Sequence, residues 1–299
     1  MIGRTRIALA ACAVVALAGC GDAPSNNTAA EVGSSAVSRD DYEEVLQAVV
    51  ANPEVFGVEE DVDTGTVTGD AGRSVLQAMI LDVAGKEFLA DEGESITDAD
   101  RQSALESLES QMDAWPPPVA ELFVERQANV IAFSRVAANT GEPQAAYEAS
   151  PAELGLLCVR HILVETEEEA QAVLQELADG ADFAQVATER STDTGSAQSG
   201  GALEAQPGQP CIPLAQAESA LDATFFEAAA GAVPGEPVGP VQTQFGWHII
   251  LARPYDEVAS AVDAAVGQQL FDEHMATITI EVDPRYGRWD SDERSVVAL

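Results

Sequence analysis

Three histidines occur in the 299-residue chain, and two of them lie in short apolar runs of strand length, Arg160-His161-Ile162-Leu163-Val164 and Phe245-Gly246-Trp247-His248-Ile249-Ile250. Alternation along a strand points each imidazole to one face, so two strands each deliver one ring. A lone histidine in an apolar strand is most often a satisfied core residue. With Asp193, the two rings also make a two-histidine, one-carboxylate set that can be written as a metal site. The three lack the tight ligand spacing of a metal motif, and no metal is expected. The stretch between the histidines decides among these readings.

Composition sets the outer bounds. The length allows two domains, and a hydrophobic fraction of 46% is ample for real cores. Against 51 acidic residues stand 14 Lys and Arg, a net charge of −37 that repels phosphate backbones and excludes nucleic acid as a main partner. The acidity reads as a solvated surface, since no loop shows the Asp/Asn and Gly alternation of a calcium site.

The elements that must position the histidines follow along the chain. Residues 1–20 read as an export signal: Arg4 and Arg6 precede the apolar run Ile7 to Leu17, and Leu17-Ala18-Gly19-Cys20 ends it. That ending resembles a bacterial lipobox, which implies lipidation at Cys20 and a place on the outer face of a membrane. The apolar run is too short to span ~30 Å of hydrocarbon. Residues 21–37, rich in Ser, Asn, Ala and Gly, read as a flexible tether.

Residues 38–138 read as a small helical bundle. Ser38 caps a helix with Tyr42, Val45, Leu46 and Val49 on one stripe; a second carries Val75, Leu76, Met79, Ile80 and Val83; a third starts at Thr97; and a fourth runs from Val119 to about Ala138 after Pro116-Pro117-Pro118. The bundle holds no histidine or cysteine and reads as a client-holding module. Residues 139–152, with Gly141, Pro143, Ser150 and Pro151, read as a linker. From 153 to 254 the pattern is α/β: a strand over Leu156 to Val164, a Thr166/Glu169 capping box, a helix ended by Gly180, a second capped by Asp182, a third with Leu221, Phe225 and Phe226, and closing strands at Val238 to Thr243 and Trp247 to Leu251. Within 255–299, Val258 to Met275 reads as a helix and Thr277 to Val282 as a strand able to return to the helical part.

The succession His-Ile-Leu-Val, Gly-Ala-Asp-Phe (180–183), Ser-Thr-Asp (191–193), Gly-Gly-x-Leu (200–203), Pro-Gly-Glu (234–236), Gly-Pro-Val-Gln-Thr (239–243) and Phe-Gly-Trp-His-Ile-Ile resembles the parvulin-type (PpiC, rotamase) peptidyl-prolyl isomerases. The surrounding layout resembles exported foldases of the SurA and PrsA kind. The resemblance implies an α+β fold: a parvulin-like domain with a four-stranded, mostly antiparallel sheet and helices around it, plus an α-helical SurA-N-like domain formed from N- and C-terminal segments. It implies roles residue by residue. His161 and His248 form a buried hydrogen-bonded pair, Asp193 sits beside them, and Thr243 completes the network. Leu203, Leu221 and Phe225 line the apolar socket for the proline ring, with Phe245 at its wall. Read from the residues alone, Asp193 is also a turn-former, and Leu221 and Phe225 are also plain core.

The implied activity is non-covalent twisting of X-Pro amides in unfolded or newly exported polypeptides, with no cofactor. The alternative is a catalytically silent holdase or scaffold lipoprotein. With Cys12 removed and Cys20 lipidated, only Cys158 and Cys211 remain, and two cysteines outside the cytoplasm are more often a disulfide. The chain departs from the family pattern at Ala202 and Glu204 and in a longer segment from Ala205 to Ser219, which leaves the rim of the socket open. Glu165, Glu167, Glu168 and Glu169 stand where phosphate-selecting relatives carry basic residues, so phospho-directed specificity is not expected.

Overall fold

The computed structural model describes residues 27–56, 60–61, 66–67, 69–206 and 208–299. Cys20 and the export signal lie outside the described residues.

The chain enters through a hairpin, β1 (Thr28–Val32) and β2 (Ser35–Ser38). Ser38 then accepts the Asp41 N–H to cap α1 (Arg39–Val50), which is followed by α2 (Pro53–Phe56) and a minimal antiparallel pair, β3 (Glu60–Asp61) and β4 (Thr66–Val67). The long helix α3 (Gly69–Asp91) precedes α4 (Asp98–Met112), whose start is fixed by a reciprocal Thr97/Asp100 capping box. Next comes α5 (Pro117–Thr140), opened by prolines in the first turn, where a missing N–H costs nothing, and closed by Gly141 at φ 74°.

Two expectations are corrected here. The tether expected over 21–37 is not one in its second half: Ala29, Ala30 and Val32 are buried, and β1 is the middle strand between β2 and β10 (Ile280–Val282). Small residues that read as a linker are here the ones that fit beneath packed helices. The linker expected over 139–152 is α6 (Glu142–Ala149) followed by a 3₁₀ turn at Pro151–Leu154. Tyr147 anchors it, fully buried, with its hydroxyl donating to the Arg253 carbonyl at 2.8 Å. One aromatic in eight residues gives no periodicity to read.

The second part begins with β5 (Leu156–Leu157) and β6 (Val159–Val164), then α7 (Glu167–Ala178) and α8 (Phe183–Arg190). A 3₁₀ turn at Ala197–Ser199 leads to β7 (Ile212–Pro213), α9 (Leu214–Ala220) and α10 (Ala223–Ala230). The strands β8 (Pro237–Thr243) and β9 (Gly246–Ala252) close the sheet in the order β6-β9-β8, all antiparallel. The sheet has three strands where four are expected; in place of a continuous fourth strand, a broken line of pairings runs along the free side of β5 and β6. In it β7 pairs with β5, Ala202 bridges Arg160, and Leu203 donates to the Val159 carbonyl at 3.0 Å.

Strand alternation divides the core. Ile162, Val164, Ile249 and Leu251 pack under α7 and α8, whereas Val159, Ile250 and Ala252 pack under α10. A disulfide between Cys158 and Cys211, both buried, ties the start of β6 to the segment before β7.

The chain returns through α11 (Tyr255–Met275), then β10, β11 (Arg288–Asp290) and β12 (Ser295–Val297). α11 lies on α5 with Gly267 against the Phe133 backbone, where an added Cβ would come within 2.5 Å of the carbonyl. Because β10 pairs with β1, segments from both sides of the α/β part build the helical part.

Candidate functional site

The register of β6 and β9 sets the site. Leu163 faces His248 and Ile250 faces His161, so the two histidines are diagonal neighbours on one face, the face that α10 covers. Their rings lie nearly parallel at 5.4 Å between centroids, with Nδ1 to Nδ1 at 3.2 Å. Phe225 of α10 meets both rings edge to face, at 5.5 Å from His161 and 5.0 Å from His248. Asp222 fixes the start of that helix by accepting the Thr224 and Phe225 N–H groups.

The remaining partners come from loops pinned to β6. Thr192 N–H donates to the Leu163 carbonyl at 2.8 Å, and Leu163 N–H donates to Ser191 Oγ at 3.1 Å, which holds the Asp193 loop beside the strand. Asp193 Oδ2 is then 2.8 Å from His161 Nε2, and Ser196 Oγ is 2.9 Å from the same nitrogen. Ser196 donates to Asp193 Oδ2 at 2.5 Å. On the other side, His248 Nε2 is 2.8 Å from Thr243 Oγ1, which already accepts the Phe245 N–H at 3.1 Å.

Donor counting gives this network one direction. Burial lowers the His161 pKa despite the Asp193 charge, and burial together with His161 lowers that of His248 to about 4, so both rings are neutral near pH 7. Burial pushes the Asp193 carboxyl up, but hydrogen bonds from Ser196, His161 and the Gly195 N–H outweigh it and hold the group ionised. A carboxylate only accepts, so His161 carries its proton on Nε2 and presents a bare Nδ1. His248 must therefore donate from Nδ1, and its bare Nε2 accepts the Thr243 hydroxyl. The chain of donors from Thr243 through the two neutral rings of His248 and His161 ends on the Asp193 carboxylate and leaves no ring nitrogen unpaired.

Glycines hold the floor together. Gly201 accepts the His161 N–H at 2.8 Å, and at φ 78° an added Cβ would lie 2.2 Å from the His161 carbonyl oxygen. A side chain at Gly200 would collide with Ala184 of α8. The Gly-Gly pair is a close approach of two backbones, which only glycine permits.

Above this floor opens a cavity of about 300 Å³ whose lining includes Leu203, Leu221, Phe225, Phe245, Asp193 and both histidines. Phe245 stands at its mouth, 67% exposed, whereas Phe225 is buried at its base. The structure thus gathers His161, His248, Asp193, Thr243, Leu203, Leu221, Phe225 and Phe245 in one place. Cys158 and Cys211 lie apart, in the disulfide. Sequence reasoning missed Ser196, Leu163 and Asp222. Leu163 was legible as the same-face neighbour of His161; Ser196 was one of several polar residues in a loop, with nothing to mark it out.

Among the described residues no cluster of three or more His, Cys, Asp or Glu side chains is placed to hold a metal ion. With His161 Nε2 engaged by Asp193 and the two Nδ1 atoms engaged with each other, the ring nitrogens of the site are spent on hydrogen bonds.

Residues 161–253 match the family described as Rotamase, PPIC-type PPIASE domain. Foldase protein PrsA of Clostridium botulinum strain Langeland is 45% identical over 92 residues, which are 31% of this chain and 25% of that protein. Foldase protein PrsA of Caldanaerobacter subterraneus subsp. tengcongensis is 34% identical over 123 residues, 40% of this chain and 37% of that protein. The chain therefore covers well under two thirds of these relatives, and the similarity speaks for the domain. The crystal structure of PrsA from Bacillus subtilis is 25% identical and covers 74% of this chain and 92% of its own, at a TM-score of 0.29, too low to bear on how the parts are arranged.

Proposed function

We propose, on the premise that residues 161–253 are a PPIC-type, parvulin-like rotamase domain, that the protein is a peptidyl-prolyl cis-trans isomerase that assists the folding of exported polypeptides. The observation that carries the reading is the apolar cavity of about 300 Å³ set directly on the neutral His161–His248 pair.

Rotation about a prolyl bond faces a barrier of about 18 to 20 kcal/mol because the planar amide is held by resonance. That resonance puts partial negative charge on the carbonyl oxygen and partial positive charge on nitrogen, and twisting removes both. An apolar, water-poor socket penalises the polar planar form more than the twisted one, and the Asp193 carboxylate at the rim further disfavours negative charge on oxygen. Phe225, Leu203 and Leu221 hold the ring while the chain on its carbonyl side turns. No proton is transferred; the histidine pair acts as a rigid, fully bonded floor. In this reading His161, His248, Asp193 and Thr243 form the network, and Leu203, Leu221, Phe225 and Phe245 bind substrate.

Cellular placement follows from the sequence. The Leu17-Ala18-Gly19-Cys20 ending supports a lipid anchor at Cys20 on the outer face of the cytoplasmic membrane, and the Cys158–Cys211 disulfide is in keeping with an oxidising compartment. The helical part holds clients near the isomerase site.

The test is the cis-to-trans rate of an Ala-X-Pro-Phe peptide with the chain and with its His248→Ala and Phe225→Ala variants, each checked for folding by circular dichroism. Acceleration abolished by both substitutions supports the isomerase. No acceleration by a folded protein that still binds the peptide makes it a holding chaperone.

A further inference from the structure

The chain is poor in cations, and the structure spends nearly all of them. Among the described residues, every lysine and arginine but one lies within 4.0 Å of a carboxylate. The exception is Arg126 of α5, which makes no ion pair and no hydrogen bond with any described residue. The carboxylate whose charge it feels, Asp82, is already held by Lys86 at 2.9 Å and by the Asn129 amide at 3.0 Å. Half-buried, the guanidinium loses solvation without gaining a partner, and it stays charged. A half-buried unpaired charge is costly, which makes its position informative.

Arg126 lines a groove of about 460 Å³ between α3, α4, α5 and α11, remote in the fold from the histidine pair. Leu81, Phe123 and Phe271 give it apolar walls, and the side chains of Gln77 and Gln127 line it without a hydrogen-bond partner among the described residues. Arg294, also at the groove, is committed to Asp272. Glu293 also lines the groove but is exposed to solvent, whereas the apolar walls, two carboxamides and the half-buried guanidinium match the parts of a short peptide: side chains for the walls, backbone amides for the glutamines and a carboxylate for the arginine. An alkyl carboxylate would leave both glutamines unpaired.

We propose that this groove binds an apolar polypeptide segment bearing an aspartate or glutamate, with the carboxylate taken by Arg126. The inference deepens the client-holding reading of the helical part, on which it rests, and stands apart from the rotamase activity.

Net charge supplies a test with an unusual sign. At −37 the protein repels anions at long range, so non-specific electrostatics would favour the uncharged member of any Glu/Gln peptide pair. The probes are fluorescein-labelled Ala-Leu-Glu-Phe-Ala and Ala-Leu-Gln-Phe-Ala, both C-terminally amidated and free of proline, titrated by anisotropy against the full chain. The Glu peptide should bind about tenfold more tightly, the size of a charge-assisted hydrogen bond. Arg126→Gln should abolish or reverse the preference. Val130→Asp, at the exposed lip one turn along α5, should do the same by occupying Arg126 while leaving the core untouched, and so covers the case in which Arg126→Gln does not fold. Binding without a Glu preference, or a preference that survives in the folded variants, overturns the inference alone. Binding of neither peptide overturns the inference and the client-holding reading together. Binding of decanoate but not of peptide overturns it in favour of an alkyl carboxylate.

Discussion

His161 and His248 meet through their Nδ1 atoms at 3.2 Å, an arrangement that only one proton can serve. That single shared proton makes the pair sensitive to what lies at each end, Asp193 beyond His161 and Thr243 beyond His248. A change at either end has to propagate, since each ring nitrogen is either donor or acceptor and cannot be both.

Asp193→Ala removes the acceptor for both the His161 Nε2–H and the Ser196 hydroxyl. We expect a stability loss of about 1 to 3 kcal/mol from the stranded buried donor, and a rate loss of roughly tenfold or more if the same energy is felt in the transition state. Asp193→Asn, which keeps an acceptor, should recover most of the stability without restoring the charge. Urea melts beside peptide isomerisation rates separate the two effects.

Acid should loosen the site before it touches most carboxylates. The folded pKa of His248 lies near 4 and that of His161 is also lowered, both below the ordinary value of 6.5. Between these limits the unfolded chain binds more protons than the folded one, so stability falls as pH drops from about 6.5 toward about 4. Asp193 is shifted down from its own reference, and its contribution is lost only at still lower pH. Melts across pH 4 to 7.5 should show this slope, and His248→Gln should flatten it.

Gly201→Ala places a Cβ against the His161 carbonyl at a backbone angle that disfavours side chains. The expected cost is about 1 to 3 kcal/mol, with loss of isomerisation because His161 is displaced. Gly235, also at positive φ but with open space around its missing Cβ, is the control. Gly235→Ala should cost less and leave the rate near that of the parent.

Phe225 and Phe245 should part company under the same substitution. Phe225 is 4% exposed and packed on both imidazoles, so Phe225→Ala should cost about 3 kcal/mol or more and abolish turnover. Phe245 is 67% exposed, so Phe245→Ala should change stability by less than about 0.5 kcal/mol and act on KM.

The sequence by itself determined the local events and pointed to residues that the fold brings together. Period-2 alternation placed His161 and His248 on strands, capping residues marked the helix starts at Ser38, Thr97, Thr166 and Asp182, and ordered short motifs pointed to the residues that now line the cavity. These are near-neighbour signals, written in the chain at the scale on which backbone sterics and capping act. Tertiary structure alone decided the rest. Diagonal register across β6 and β9 turned two strand histidines into a pair, and burial beside Asp193 fixed where their protons sit. Small residues at 28–32 became a central strand only because β10, some 250 residues later, supplies its second partner beside β2. Within 139–152, Glu142–Ala149 became a helix docked through buried Tyr147, whose hydroxyl donates to the distant Arg253 carbonyl. Pairing partners distant in sequence leave no trace in local composition, and for that reason a tether and a linker were read where the fold has a strand and a helix.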